Sequence, residues 1–258
     1  MRSIYAIYRK EMGHYFVSPV AYVVVSLFIF LSALLFAISL REVVAQSFEM
    51  PSDFDAASAL LRNSLGLLTS FSLFLVPMVT MALFAEERKR GTMELLMTSP
   101  IREVDIVLGK FLASLTLFAV MLLPTASSVV FVWLHTDPRP PLRVVLAGYL
   151  GILLFGGCLL ALGLFMSSLT ENQIVAAALT WGVFVFFWVI GWVVDRFGSG
   201  GATTALGQTV QYLSVTDHLD DFTRGIIDTS GLVYYLSFIA FFVFLAVRSI
   251  DSLRWRRA

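Results

Sequence analysis

The chain has 258 residues, of which 58% are hydrophobic and 14% charged, with a mean hydropathy of +0.84. Soluble domains carry about 25% charged residues, so this chain has too little charge to cover a globule in water; a cytosolic enzyme, a disordered protein and a nucleic-acid binder are excluded. Eighteen Lys and Arg balance eighteen Asp and Glu, so no basic field attracts DNA or RNA, and one cysteine, Cys158, excludes a disulfide framework or cysteine-ligated zinc.

Residues 2–16 come first. At about 100° per residue, Ile4, Tyr5, Tyr8, Met12, Tyr15 and Phe16 share one face of a helix, and Arg2, Ser3, Arg9, Lys10 and His14 the other, with Ile7 and Glu11 near the boundary. Such a helix lies in the membrane interface, rings at headgroup depth and cations toward anionic lipid. It is read as an anchor for the first span or as a partner contact.

A bilayer core about 30 Å thick needs about 20 apolar residues as a helix, because every backbone polar group must be satisfied within the segment. Six stretches qualify: 17–40, 64–85, 106–134, 144–168, 172–194 and 231–247. Lys110, near the start of the third, is the exception to their freedom from charge. The first stretch is too long for a signal-peptide core and is read as a retained span. Ser18-Pro19 and Ser99-Pro100 read as helix starts, with Pro at the first helical position. Pro77 and Pro124 fall inside spans and predict kinks. Three small-residue pairs, Ala147/Gly151, Gly157/Ala161 and Ala178/Gly182, predict close helix packing. Residues 1–258 are expected to form one all-α membrane domain.

Basic residues set the orientation. The N-terminus, the second connection (Arg88, Lys89, Arg90, Arg102, Lys110) and the C-terminus (Arg248, Arg254, Arg256, Arg257) together carry twice the basic residues of the opposite side. The positive-inside rule therefore places both termini in the cytoplasm. The second connection then presents Glu86-Glu87-Arg88-Lys89-Arg90 to the cytosol, followed by Gly91 and Thr92 and by Met93, Leu96 and Met97 at i, i+3, i+4. A short helix with an apolar knob and a charged rim suits docking into a groove of a soluble partner. The alternative is a solvated, charge-rich topology determinant.

Chemistry is sparse. Gly109-Lys110 lacks the rest of a P-loop: Val104 stands where its first glycine belongs and Phe111 where its Ser or Thr belongs. His14, His135 and His218 lie in different segments, and no metal site is expected. The spans hold no acid to carry protons or sodium, so the chain is expected to lack an energy source of its own.

The run from Phe84 through Glu86-Glu87-Arg88-Lys89-Arg90-Gly91-Thr92-Met93-Glu94 to Pro100, continuing to Gly109-Lys110-Phe111, resembles the second cytoplasmic connection of type-2 ABC transporter permeases, closest to the gliding-motility type. Residues 15–22 and 218–228 resemble the same group. The resemblance implies six transmembrane helices, an interfacial elbow helix (Tyr5, Tyr8, Arg9, Lys10) and a cytoplasmic coupling helix at about 86–97. Glu86, Glu87, Arg88 and Glu94 would then make rim contacts on a separate ABC ATPase. Met93, Leu96 and Met97 would enter its groove, and Gly91 and Thr92 would shape the element. It also implies short external helices within 195–230, a second permease subunit (identical, or related with a large extracytoplasmic domain), two ATPases that bind the ATP and magnesium, and residence in a bacterial inner membrane. The expected function is coupling ATP hydrolysis to export or to mechanical work. The alternatives are a mechanotransmission scaffold that exports nothing and an ATPase-independent carrier.

Overall fold

A computed structural model describes residues 2–49, 55–98, 101–137, 139–197, 215 and 217–255. Regular structure among them is all α-helical. The N-terminal amphipathic segment forms α1 (Arg2–Val17). One residue, Ser18, separates it from α2 (Pro19–Glu49), which has Pro19 at its first position as the sequence predicts. The next helix, α3 (Ala56–Thr80), is capped by Asp55, whose carboxylate accepts the Ser58 N–H at 3.1 Å. It breaks at Met81, four residues past Pro77, and resumes as α4 (Ala82–Lys89). A turn leads to α5 (Thr92–Thr98).

The third predicted span is two helices, α6 (Glu103–Leu122) and α7 (Ala126–His135), separated by a turn around Pro124. The Thr125 hydroxyl donates to the Leu122 carbonyl at 2.6 Å and meets the Tyr149 hydroxyl at 2.9 Å, so the kink is stitched to a neighbour. The chain continues through α8 (Leu142–Leu169), α9 (Gln173–Phe197), the short α10 (Asp217–Thr223) and α11 (Thr229–Trp255). Ser99 and Pro100 lie outside the described residues; α6 starts at Glu103 after Arg102, which makes no side-chain cap. Of the predicted external segment 195–230, positions 198–214 and 216 also lie outside them.

Among the described residues, five helical units are long and apolar enough to cross a membrane: Pro19–Phe48, Ala56–Lys89, Glu103–His135, Leu142–Leu169 and Thr229–Ser252. The described apolar part of α9, Gln173–Val189, is shorter. The chain is a multi-pass membrane protein.

Helix α8 is the axis of the bundle, with α3, α4, α6, α9, α10 and α11 packed around it. Glycine makes these approaches possible. A Cβ at Gly156 would stand 2.1 Å from the Phe118 ring, and one at Gly163 would stand 2.1 Å from Thr80 Oγ1. The first two predicted small-residue pairs lie on this packed helix, where Ala147, Gly151, Gly157 and Ala161 are buried. The third faces outward: Ala178 is exposed and Gly182 meets open space. At the periphery, α2 leaves Phe30, Leu34 and Ile38 exposed, as apolar side chains facing lipid would be.

Candidate coupling site

Helix α4 continues a membrane-length unit, and its position is set by side chains from three other elements. Where α3 gives way to α4, the backbone ladder is opened by Ser167 of α8. Its hydroxyl oxygen accepts the N–H groups of Phe84 and Ala85, each at 3.0 Å, and its proton goes to the Met81 carbonyl at 3.0 Å. A side chain inserted into the i→i−4 ladder bends a helix while leaving its buried polar groups satisfied. One turn later the Arg88 guanidinium donates to the Ser168 carbonyl at 2.6 Å and lies 3.7 Å from the Glu171 carboxylate. A cation there also suits the carbonyl-rich end of α8.

The opposite side of α4 meets α1 and α6. Lys110 of α6 is 2% exposed, and its ammonium lies 2.9 Å from Glu11 Oε1 of α1 and 3.1 Å from Glu87 Oε1 of α4. The same ammonium stands 5.1 Å over the Phe84 ring. Lys10 reaches the same Glu87 oxygen at 3.1 Å and Glu11 at 3.6 Å. Partial burial disfavours the Lys10 ammonium, but the Glu87 and then the Glu11 carboxylates outweigh that cost, so its pKa is raised. Two lysines and two glutamates thus cancel in charge within one group, in which Lys110 and Glu11 are buried, Glu87 is half-buried and Lys10 is exposed at the edge. Next to it, Gly109 seats α1: a Cβ there would lie 2.8 Å from Ile7. The buried Tyr15 hydroxyl has no hydrogen-bond partner among the described residues, and burial together with the Glu11 carboxylate pushes its pKa up.

The outer end of α4 is a designed-looking stop. Gly91 takes a left-handed φ of +71°, and a Cβ there would meet nothing within 4 Å, so glycine is required by the backbone rather than by space. Thr92 donates its hydroxyl to the Glu87 carbonyl at 3.3 Å, so it serves the end of α4 rather than capping α5. Arg90 pairs with Glu86 one turn back.

The predicted site residues therefore divide. Gly91, Thr92 and Glu94 are exposed, with the unpredicted Lys89 and Arg90 beside them. Glu86 and Arg88 are half-buried, and Arg88 is committed to the end of α8. Glu87 turns inward, with its second carboxylate oxygen also buried. Met93 is 5% exposed and belongs to the main apolar core. The side chains of Leu96 and Met97 lie outside the described residues. On α1, Tyr5 and Tyr8 stack with ring centres 6.4 Å apart, Tyr5 and Arg9 are exposed, and Lys10 reaches back to Glu87. It is the boundary residues Ile7 and Glu11 that face the protein. Sequence reading missed Glu11, Lys110 and Ser167 as members of this site. Lys110 carried a signal, since a charge within an apolar span needs a partner; Ser167 carried none.

No curated protein is similar enough to count as a match. Residues 5–250 match a family described as ABC-2 family transporter protein. With that match covering nearly the whole of an all-helical, multi-pass chain, the protein belongs to the ABC-2 transporter family.

Proposed function

We propose that this chain is the permease subunit of an ATP-binding cassette transporter of the gliding-motility type, coupling ATP hydrolysis by a separate ATPase to export or to mechanical work across the membrane. On this reading α9 completes a set of six spans, α1 is the elbow helix, and the corner formed by α4 and α5 is the coupling element. Both termini and that corner face the cytoplasm of a bacterial cell, the side to which the basic residues assign them. A second permease chain and two ATPases complete the assembly. The ATPases bind the ATP and magnesium; this chain is not an enzyme.

One observation carries the reading: a charged, exposed corner sits at the end of a membrane-length helical unit whose inner face is pinned to α6 and α8. A close-packed element transmits displacement instead of absorbing it. The contact surface is assigned to Lys89, Arg90, Thr92 and Glu94, which are exposed, while Glu87 and Met93 face inward and support the corner from behind.

The test is co-expression with the ATP-binding cassette protein encoded nearest to this chain, followed by purification through this chain. Reversing charge at the corner with Lys89→Glu and Arg90→Glu should lower ATPase recovery by about tenfold or more, since complementary charge governs such contacts. Permease yield and thermal stability should be retained. Unchanged ATPase recovery overturns the docking surface. Labelling of Thr92→Cys from the cell exterior overturns the orientation.

A further inference from the structure

We propose that Lys110 is the positioning residue of a buried charge clasp that binds α1, α4 and the first turns of α6 into one moving unit. The inference rests on the coupling role given above to α4, and it adds that the N-terminal helix is driven by the corner rather than serving only as an anchor.

The argument begins with the cost of the residue. A lysine in an apolar span is costly unless paired, yet Lys110 is almost wholly buried. Its ammonium is shared between two acids from two different helices, Glu11 at 2.9 Å and Glu87 at 3.1 Å. Lys10 closes the ring from α1 by contacting both acids. Every edge of this ring except Lys10–Glu11 crosses from one helix to another. A charged hydrogen bond fixes distance and direction, whereas an apolar contact slides at little cost. Shifting α4 against α1 would separate Lys10 from Glu87; shifting α1 against α6 would separate Lys110 from Glu11. The second motion separates charges in a low-dielectric setting, where separation is opposed most strongly; the Lys10 side chain is 61% exposed, and its contacts with Glu87 and Glu11 form the solvent-facing edge of the ring. Gly109 adds a steric key, because Ile7 occupies the space its side chain would fill. On the other side, α4 meets α8 through the neutral hydroxyl of Ser167 and the partly exposed Arg88–Glu171 contact. Helix α4 otherwise packs mainly against α8, so the charged group is what ties α4 to α1 and α6 and carries the N-terminal helix along with the corner.

The testing variant removes only the α1 arm of the clasp. Lys10→Met with Glu11→Met deletes one charge of each sign and leaves Glu87 paired with Lys110, so no ion is stranded. Two hydrogen–deuterium exchange measurements follow. In lipid nanodiscs without ATPase, the variant should speed exchange of α1 amides by about tenfold while α8 is unchanged; unaltered α1 exchange overturns the clasp. In the assembled complex, trapping with MgATP and vanadate should change exchange in α1 and α4 together in the parent chain, and in α4 alone in the variant. A parent α1 that does not respond, or a variant α1 that responds fully, overturns the proposal. If no ATPase binds the parent chain, the coupling reading fails, whereas the nanodisc measurement still decides the clasp. A second variant, Glu87→Gln with Lys110→Met, cuts the link between α4 and α6 and should also abolish the α1 response; its persistence overturns the role of Lys110.

Discussion

Two ion pairs of equal length in the bundle do different work. Lys110 and Glu11 are 2.9 Å apart, as are Arg224 and Asp220 on α10. The first pair joins separate helices with side chains 2% and 8% exposed. The second spans one turn of one short helix with side chains 54% and 67% exposed. In water the charges keep most of their hydration whether or not they touch, so the surface contact contributes little. In the buried group hydration is already lost, so removing one partner leaves an ion with nothing to offset that loss. Separation alone therefore says nothing about strength; burial and the number of elements joined decide it.

The comparison breaks most readily at Lys110. Lys110→Met leaves Glu11 and Glu87 buried around an apolar side chain and should cost about 3–5 kcal/mol, read as a large fall in the thermal unfolding midpoint in detergent. A fall no greater than that of a surface variant would place the clasp in the same class as α10. Ser167→Ala comes next. It strands the N–H groups of Phe84 and Ala85 and the Met81 carbonyl, and leaving buried polar groups unpaired costs about 1–3 kcal/mol. That outcome would rank a neutral buried hydroxyl between the two ion pairs.

Asp55 extends the series to a cap at the surface. Hydrogen bonds from the Ser58 hydroxyl and then its N–H hold the Asp55 carboxylate below the ordinary value of 3.8. Its contribution is thus present above the ordinary carboxylate pKa and is lost as pH falls through the depressed one. Asp55→Ala should cost about 1 kcal/mol at neutral pH, and the difference from the parent should shrink below about pH 4. A constant difference across that range would exclude the charged cap. The smallest effect belongs to Arg224→Ala, about 0.3–0.5 kcal/mol and weaker still in high salt; a larger, salt-insensitive loss would show that exposure is not what separates the two pairs.

Much of the fold was legible in the residues. The predicted stretch 144–168 lies within α8 (Leu142–Leu169), and 2–16 corresponds to α1 (Arg2–Val17). Pro124 announces the turn before α7, because a missing N–H is a local property of the chain, whereas α3 runs on past Pro77 and breaks at Met81, where Ser167 enters the ladder. The site was legible only in part. Periodicity groups Met93 with an apolar face but not with a destination, and that side chain joins the core. Helical spacing leaves Ile7 and Glu11 at the edge of the α1 stripe; the approach of α6 at Gly109 turns that edge into the buried face. Thr92 is the first residue of α5, yet its hydroxyl serves the helix before it, beside the left-handed turn at Gly91.

By itself the sequence determined the solvent this protein requires, the helical form of its long segments and the turn at Pro124, because hydropathy, backbone satisfaction and proline all act over neighbouring residues. The tertiary structure alone decided that Lys110 finds its countercharges 23 and 99 positions away and that Ser167 enters a helix break more than 80 residues earlier. Those partners are chosen by which helices pack together, and no local pattern encodes that choice.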